Sequence, residues 1–291
     1  MPRVGAVIDA VHARFQAADL YYGHGTDNSW DEAVALVLGV TEFADDDASL
    51  QLTLTADQAD EIERLAGLRI DERQPLAYLL GKATYLGLEF HLPPGVVVPR
   101  SPLGFLLPDG IRPWLADDVT SILDLCTGSG CLGIAAALMY PEATVELVDL
   151  DPLACATAQQ NVDRYGLADR VRVTRGDVTT MPLPAADLIL CNPPYVNALD
   201  MRGLPPEYRY EPEQGLAAGD DGLDVLLPLL DRAGEILKPQ GVLLAEVGAS
   251  APALVRALPD LPLIWLDLPQ GGEGVFLLEA SALNSHTARQ H

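Results

Sequence analysis

Apolar and polar positions alternate along this chain in two textures that change near residue 84. The first stretch has helical spacing. Val4, Val7, Ile8, Val11 and Phe15 fall on one face and predict a helix over 4–19. After the polar loop Gly23-His24-Gly25-Thr26-Asp27-Asn28, the pattern Ser29-x-x-Glu32 reads as a capping box opening a second helix to about Val40. Thr55-x-x-Gln58 opens a third, running to about Arg73. Residues 84–90 and 96–98 then read as two strands around Pro93-Pro94-Gly95.

From residue 120 short apolar runs alternate with amphipathic ones, which predicts a doubly wound α/β sheet. The expected strands are 121–125, 144–149, 171–175, 186–191, 241–247, 263–268 and 274–279, and the expected helices 131–139, 152–165, 222–237 and 250–257. Only Pro269-Gln270-Gly271-Gly272-Glu273 separates the last two strands, too short for a helical crossover, so they must run antiparallel. A seven-stranded, mostly parallel sheet ending in an antiparallel hairpin is the Rossmann-like architecture of S-adenosylmethionine-dependent (class I) methyltransferases. The expected organisation is a helical substrate-recognition domain over 1–80, a β-hairpin and interdomain linker over 81–113, and the α/β domain over 114–291.

Composition narrows the function. Of 291 residues 49% are hydrophobic, enough for a large core. No apolar run reaches the roughly 20 residues that span a bilayer, and the start Met1-Pro2-Arg3-Val4 has no signal-peptide pattern, so the cytoplasm is the expected compartment and no membrane partner is expected. The net charge of −24 repels phosphate backbones, which argues against stable nucleic-acid binding and for a basic protein partner. Cys126, Cys131, Cys155 and Cys191 form no CxxC pair and do not cluster with the five histidines, so no metal site is expected. The sequence assigns no oligomeric state.

Two segments carry chemistry. Ile122-Leu123-Asp124-Leu125-Cys126-Thr127-Gly128-Ser129-Gly130 runs a strand into a glycine-rich turn, where glycines let a ligand approach the backbone. Gly128-x-Gly130-x-x-Gly133 with Asp149 downstream fits a dinucleotide site as well. Asp124 favours the cationic methionine end of S-adenosylmethionine over a pyrophosphate, Asp149 suits ribose hydroxyls, and Asp177-Val178 suits an adenine. The second segment is Asn192-Pro193-Pro194-Tyr195, directly after the apolar run Ala186–Cys191. Its prolines end the strand, since they cannot donate to a ladder, and so hold Asn192 at the carboxyl edge of the sheet. The Asn192 side-chain oxygen and the Pro193 carbonyl are two acceptors suited to the two hydrogens of a planar NH2 group, and Tyr195 can cover its face.

With that turn after the fourth strand, the chain resembles the protein-glutamine N(5)-methyltransferases over nearly its whole length. Within that family it is most similar to the subgroup acting on large-subunit ribosomal protein uL3. Gly23 to Ala33, Val98-Pro99-Arg100-Ser101-Pro102, Glu207-Tyr208, Glu211-Pro212, Gly219 to Asp224 and Gly271 to Phe276 carry the likeness. The resemblance implies that Cys126, Thr127, Gly128, Ser129 and Gly130 line the methionine end of S-adenosylmethionine, Asp149 the ribose, and Asp177 and Val178 the adenine. It also implies that Asn192, Pro193, Pro194 and Tyr195 hold a glutamine side chain. Two positions depart from the subgroup: Phe105 stands where a glutamate is usual, and Gly248-Ala249-Ser250 replaces Gly-Asn-Ser. A release-factor methyltransferase, a nucleic-acid adenine N6-methyltransferase and a non-catalytic assembly factor for a ribosomal protein are the competing readings.

Overall fold

The structure, a computed structural model, describes residues 1–108, 111–116, 118–269 and 271–290, with 286–290 described by backbone alone. Asp109 and Gly110 of the expected linker, Asp117, and Gln270 of the expected last turn lie outside the described residues. The helical part comprises α1 (Val4–Ala17), α2 (Ser29–Thr41), α3 (Ala56–Asp71) and the short α4 (Leu76–Leu80). Its core is built by Val4, Ile8, Val11 and Phe15 of α1 against Ala33, Leu36 and Val37 of α2 and Ile62, Leu65 and Ala66 of α3. The hairpin β1 (Lys82–Tyr85) and β2 (Leu88–His91) follows.

The remaining elements are β3 (Ser121–Leu125), α5 (Cys131–Met139), β4 (Thr144–Asp149), α6 (Pro152–Arg164), β5 (Val171–Arg175), β6 (Ala186–Cys191), α7 (Ala198–Met201), α8 (Leu226–Ile236), β7 (Leu237–Glu246), α9 (Ala251–Ala257), β8 (Ile264–Trp265), β9 (Val275–Glu279) and α10 (Ala280–Gln290). The seven strands pair in the order β5-β4-β3-β6-β7-β9-β8, parallel from β5 to β7, with β9 antiparallel to both of its neighbours. This is the α/β methyltransferase architecture the patterning predicted. Successive strand residues feed opposite faces: Ile122, Leu188 and Val242 pack with α5 and α6, whereas Leu123, Ile189 and Leu243 pack with α8 and α10. Both faces are therefore apolar, which is why these strands read as continuous hydrophobic runs. The chain starts the sheet at β3, winds outward to β5, then crosses back to β6. The carboxyl ends of β3 and β6 thus flank the switch point where open α/β sheets bind ligands.

Several local expectations are corrected. Asn28, not Ser29, caps α2: its backbone is extended, and its side-chain oxygen accepts from the Trp30 and Asp31 amides at 3.0 and 2.9 Å. Ser29 sits inside the helix and bonds the His12 ring, and Glu32 is taken by Thr26 and Arg69. The Thr55–Gln58 capping box is present as expected. Residues 84–90 do not form one strand, because Leu86 and Gly87 (φ 52° and 76°) fold them into a two-residue hairpin. Residues 96–98 form no strand. Instead the Tyr78 hydroxyl donates to the Val96 carbonyl, and the Val98 amide donates to Glu211. The predicted helix 222–237 begins four residues late, after Gly222 at φ 80°, and its last residue, Leu237, already belongs to β7. The strand expected at 263–268 shortens to Ile264–Trp265.

Arg69 is the largest fully buried side chain among the described residues. It donates to Glu32 on α2, to Glu207 at 3.1 Å and to the Tyr21 carbonyl at 2.7 Å. It thereby joins the helical part to the segment that follows the Asn192 turn. Replacing Arg69 by Ala leaves buried Glu32 with only the Thr26 hydroxyl and buried Glu207 with the Tyr21 amide and a longer Arg73 contact, and is expected to cost about 3–5 kcal/mol of stability, read by urea denaturation.

Candidate active site

β3 runs straight into the glycine-rich turn. Cys126 (φ 61°) and Gly128 (φ 56°) adopt left-handed backbone, and Gly130 (φ 82°) caps α5. A Cβ on Gly128 would meet nothing within 4 Å, so this peptide faces open space. Gly133 is the opposite case, because a Cβ there would lie 2.8 Å from an Asp124 oxygen and 2.2 Å from Leu147. The Gly133 amide instead donates to Asp124 at 2.8 Å, and the Thr127 hydroxyl to the same oxygen at 2.5 Å. Asp124 thus braces the turn from beneath. Burial pushes its carboxyl up to about 7.

Asp149, half-buried at the end of β4, accepts from the Gly128 amide at 2.8 Å with one oxygen and from the Asp151 amide at 2.9 Å with the other. Burial raises its pKa as well. Asp177 follows β5, exposed, and is held by the Thr179 amide and hydroxyl, which lower its pKa. Val178 beside it is buried. Asn161, fully buried, ties the turn to the hairpin: it accepts from the His91 amide and donates to the carbonyls of His91 and Ser129.

At the end of β6, Asn192 is half-buried and Pro193 buried. Among the described residues no hydrogen bond claims the Asn192 side chain, which leaves its oxygen available. Tyr195 is clamped on several sides. Its hydroxyl donates to Glu246 at 2.6 Å, and its carbonyl accepts from the Ser250 hydroxyl at 2.8 Å. Gly248 lets its ring pack against backbone, since a Cβ there would sit 2.6 Å from the ring. Burial and the neighbouring Glu246 push the phenol far above its ordinary range, so it stays a neutral donor.

These elements enclose a cavity of about 400 Å3 lined by Asp124, Cys126, Thr127, Gly128, Asp149, Asp177, Val178 and the whole Asn192–Tyr195 turn. Ser129 and Gly130 are not in its wall. Ser129 is 2% exposed, and Gly130 packs against Ala158 and Leu147. Phe105 is also outside the wall, whereas Ala249 is in it.

The sequence reading missed the roof. Arg100 forms a two-pronged ion pair with Glu211, at 2.6 and 2.8 Å. Burial works to raise the Glu211 pKa, but the Arg100 guanidinium brings it to about 2. His24 lies 3.6 Å from the same carboxylate and packs, tilted, at 4.7 Å against Tyr208, which lines the cavity. Each of these residues stands in a segment visible in the sequence, but nothing local showed that 24, 100 and 211 meet. Glu246 was legible, as an acidic residue closing the apolar run Leu243-Leu244-Ala245, the same signal that marked Asp149.

Residues 113–203 match the family model "Methyltransferase small domain". Three relatives named ribosomal protein uL3 glutamine methyltransferase align over nearly the full chain. The Bordetella pertussis protein is 42% identical over 94% of this chain and 93% of its own length, and that of Burkholderia pseudomallei 43% identical over 93% and 92%. The Francisella tularensis protein is 42% identical over 90% and 85%. The chain belongs to the ribosomal protein uL3 glutamine methyltransferase family.

Membership makes it an S-adenosylmethionine-dependent methyltransferase, and the cavity suits that cofactor. Its size lies in the roughly 300–1,000 Å3 range of small-molecule sites. Asp149, Asp151 and Asp177 make the wall acidic, and its one basic side chain among the described residues, Arg100, is already paired with Glu211. Such a wall favours a cationic sulfonium and disfavours a pyrophosphate.

Two outcomes follow for a member of this family built this way. Removing the carboxylate in Asp149→Ala is expected to erase most of the stabilisation that saturating cofactor confers, about 2.7 kcal/mol at a hundredfold excess over Kd, measured as a thermal shift. Separately, between about pH 4 and 7 the folded chain keeps a proton on Asp124 that the unfolded chain releases, so stability falls as pH rises through that window. Asp124→Asn retains an acceptor for Thr127 and Gly133 but removes this slope. Its melting temperature relative to the unsubstituted protein should therefore improve from pH 4 to pH 7.

Proposed function

We propose that this chain transfers a methyl group from S-adenosylmethionine to the side-chain amide nitrogen of a glutamine in the large-subunit ribosomal protein uL3. The observation that carries this reading is the unclaimed Asn192 acceptor on a proline-stiffened turn at the rim of an acidic cavity. When bound, S-adenosylmethionine supplies a methyl carbon on a positively charged sulfur that leaves as a neutral thioether.

The residues of the chain meet a specific difficulty, since an amide nitrogen shares its lone pair with its carbonyl and is a poor nucleophile. In this reading the Asn192 oxygen and the Pro193 carbonyl accept the two N–H hydrogens and aim the nitrogen at the cavity. Both acceptors bind more strongly as positive charge grows on nitrogen, so the contact stabilises the transition state more than the bound amide. Tyr195, clamped by Glu246 and Ser250, presents its ring to the amide plane and keeps water out. One N–H proton then passes to solvent.

Residues 1–80 select the protein substrate, and the strongly acidic chain attracts a basic ribosomal protein in the cytoplasm before its assembly with RNA. The competing substrates are separated by offering labelled cofactor with free uL3, release factor and an adenine-containing oligonucleotide under identical conditions. Label should enter uL3. Preferential labelling of release factor or the oligonucleotide contradicts the assignment. In the same assay Asn192→Ala should keep the cofactor-induced thermal shift while turnover drops about 10²–10³-fold, the scale for losing one preorganised polar contact. Turnover at the unsubstituted rate would remove Asn192 from the mechanism.

A further inference from the structure

α2 is apolar on more than the face it buries. Ala33, Leu36 and Val37 enter the helical core, yet Trp30, Val34 and Leu38 form a second stripe at i, i+4 and i+8. Trp30 is 44% exposed. With Phe43 and Leu80 this stripe forms the floor of a groove of about 810 Å3 between α2, α4 and the β1–β2 hairpin. Its rim is acidic: Asp31, Glu42 and Asp45 are exposed, and Glu89 closes the hairpin side. Lys82, the one lysine or arginine in the groove wall among the described residues, is paired with Glu89 at 2.7 Å, and Arg164 pairs with the same carboxylate. The surrounding chain is equally one-sided, with twelve carboxylate residues and no lysine or arginine across residues 15–63.

One end of the groove lies against the roof of the active site. His24 lines its end, and the same ring packs on Tyr208 and approaches Glu211, both beside the cofactor cavity. A chain lying in the groove therefore ends beside the side chains that roof the Asn192 turn.

We infer that this groove docks a cationic segment of the methylated protein, one that carries an apolar side chain for the Trp30–Leu38 floor and lysines or arginines for the rim, adjoining the reacting glutamine. The assignment rests on the substrate reading above and adds where and how that substrate is held. Charge complementarity selects the occupant. A wall bearing Asp31, Glu42 and Asp45 around apolar side chains opposes acidic chains and nucleic acid and attracts basic protein.

Two variants test it on the full chain. Glu42→Lys/Asp45→Lys reverses two exposed rim charges, and Trp30→Ala shortens the floor. Glu142→Lys/Asp169→Lys, exposed at the opposite, amino-terminal edge of the sheet, is the charge control. Each is assayed with the intact substrate protein and with a short peptide carrying only the methylated glutamine. For the intact protein, kcat/KM should fall roughly tenfold or more in both groove variants, with kcat, cofactor affinity and melting temperature little changed. For the peptide nothing should change. High salt should abolish the defect of the charge reversal but not that of Trp30→Ala.

Equal losses on protein and peptide, an equal loss in the control pair, or unchanged kcat/KM in both groove variants would overturn the docking assignment while leaving methyl transfer to uL3 intact. A chain that sediments as a dimer and is split by both variants would give the groove to a second copy instead. Failure of the unsubstituted protein to methylate uL3 would remove the substrate reading, and this inference with it.

Discussion

Two glutamates buried against arginines hold this molecule in its working shape. Glu207 and Glu211 lie on the segment that leaves the Asn192 turn, and both are almost completely shielded from solvent. Glu207 is gripped by Arg69 of α3 and Glu211 by Arg100 of the connecting segment. Taking such charges out of water costs several kcal/mol per ion, so apolar residues of similar volume would hold the fold as well. What the ion pairs supply is direction. The two-pronged Arg100–Glu211 contact holds only in a narrow range of geometries, and Arg69 divides its donors among Glu207, Glu32 and the Tyr21 carbonyl. Each arginine joins a different part of the chain to the segment after the Asn192 turn. If either pair shifted, the roof formed by Tyr208, Arg100 and His24 would move relative to Asn192.

Beneath that roof the sheet performs the complementary task. Parallel strands that wind in two directions leave a gap at their carboxyl ends, and β3 and β6 border it. On the β3 side, carboxylates brace the glycine turn from below and from the neighbouring strand, with Asp124 bonded to Gly133 and Asp149 to Gly128. On the β6 side, two prolines stop the strand and Tyr195 is locked by Glu246, Gly248 and Ser250. Little has to rearrange to present either wall, which suits chemistry that depends on aim more than on acids and bases.

The parts of this arrangement that were legible in the sequence share one property: their cause is local. Residues 121–125, 144–149 and 186–191 read correctly as strands because central strands demand apolar residues on both faces, and 171–175, at the sheet edge, because Val171 and Val173 alternate with polar residues. The short last connection allowed only an antiparallel pairing, and that is what forms. Asp124, Asp149 and the Asn192 turn could be read because each ends a strand. The misreadings had competing local causes. Asn28 outranked Ser29 as a cap because it precedes it and reaches two amides, and the hairpin turn went unread because it puts positive φ on Leu86, a residue type that disfavours it, beside Gly87. The Arg100–Glu211–His24 contact could not be seen at all, since it joins residues that only the completed fold brings together.

If the Asn192 turn presents a carboxamide nitrogen, the transferred methyl ends on that nitrogen. The chemical fate of the transferred methyl tests it most directly. uL3 methylated with labelled cofactor is isolated, the modified residue located by fragmentation mass spectrometry, and the protein hydrolysed in acid. The expected product is a single methyl on a glutamine side chain, released as labelled methylamine with glutamate left behind. Label that survives hydrolysis on lysine, arginine or another residue would contradict it.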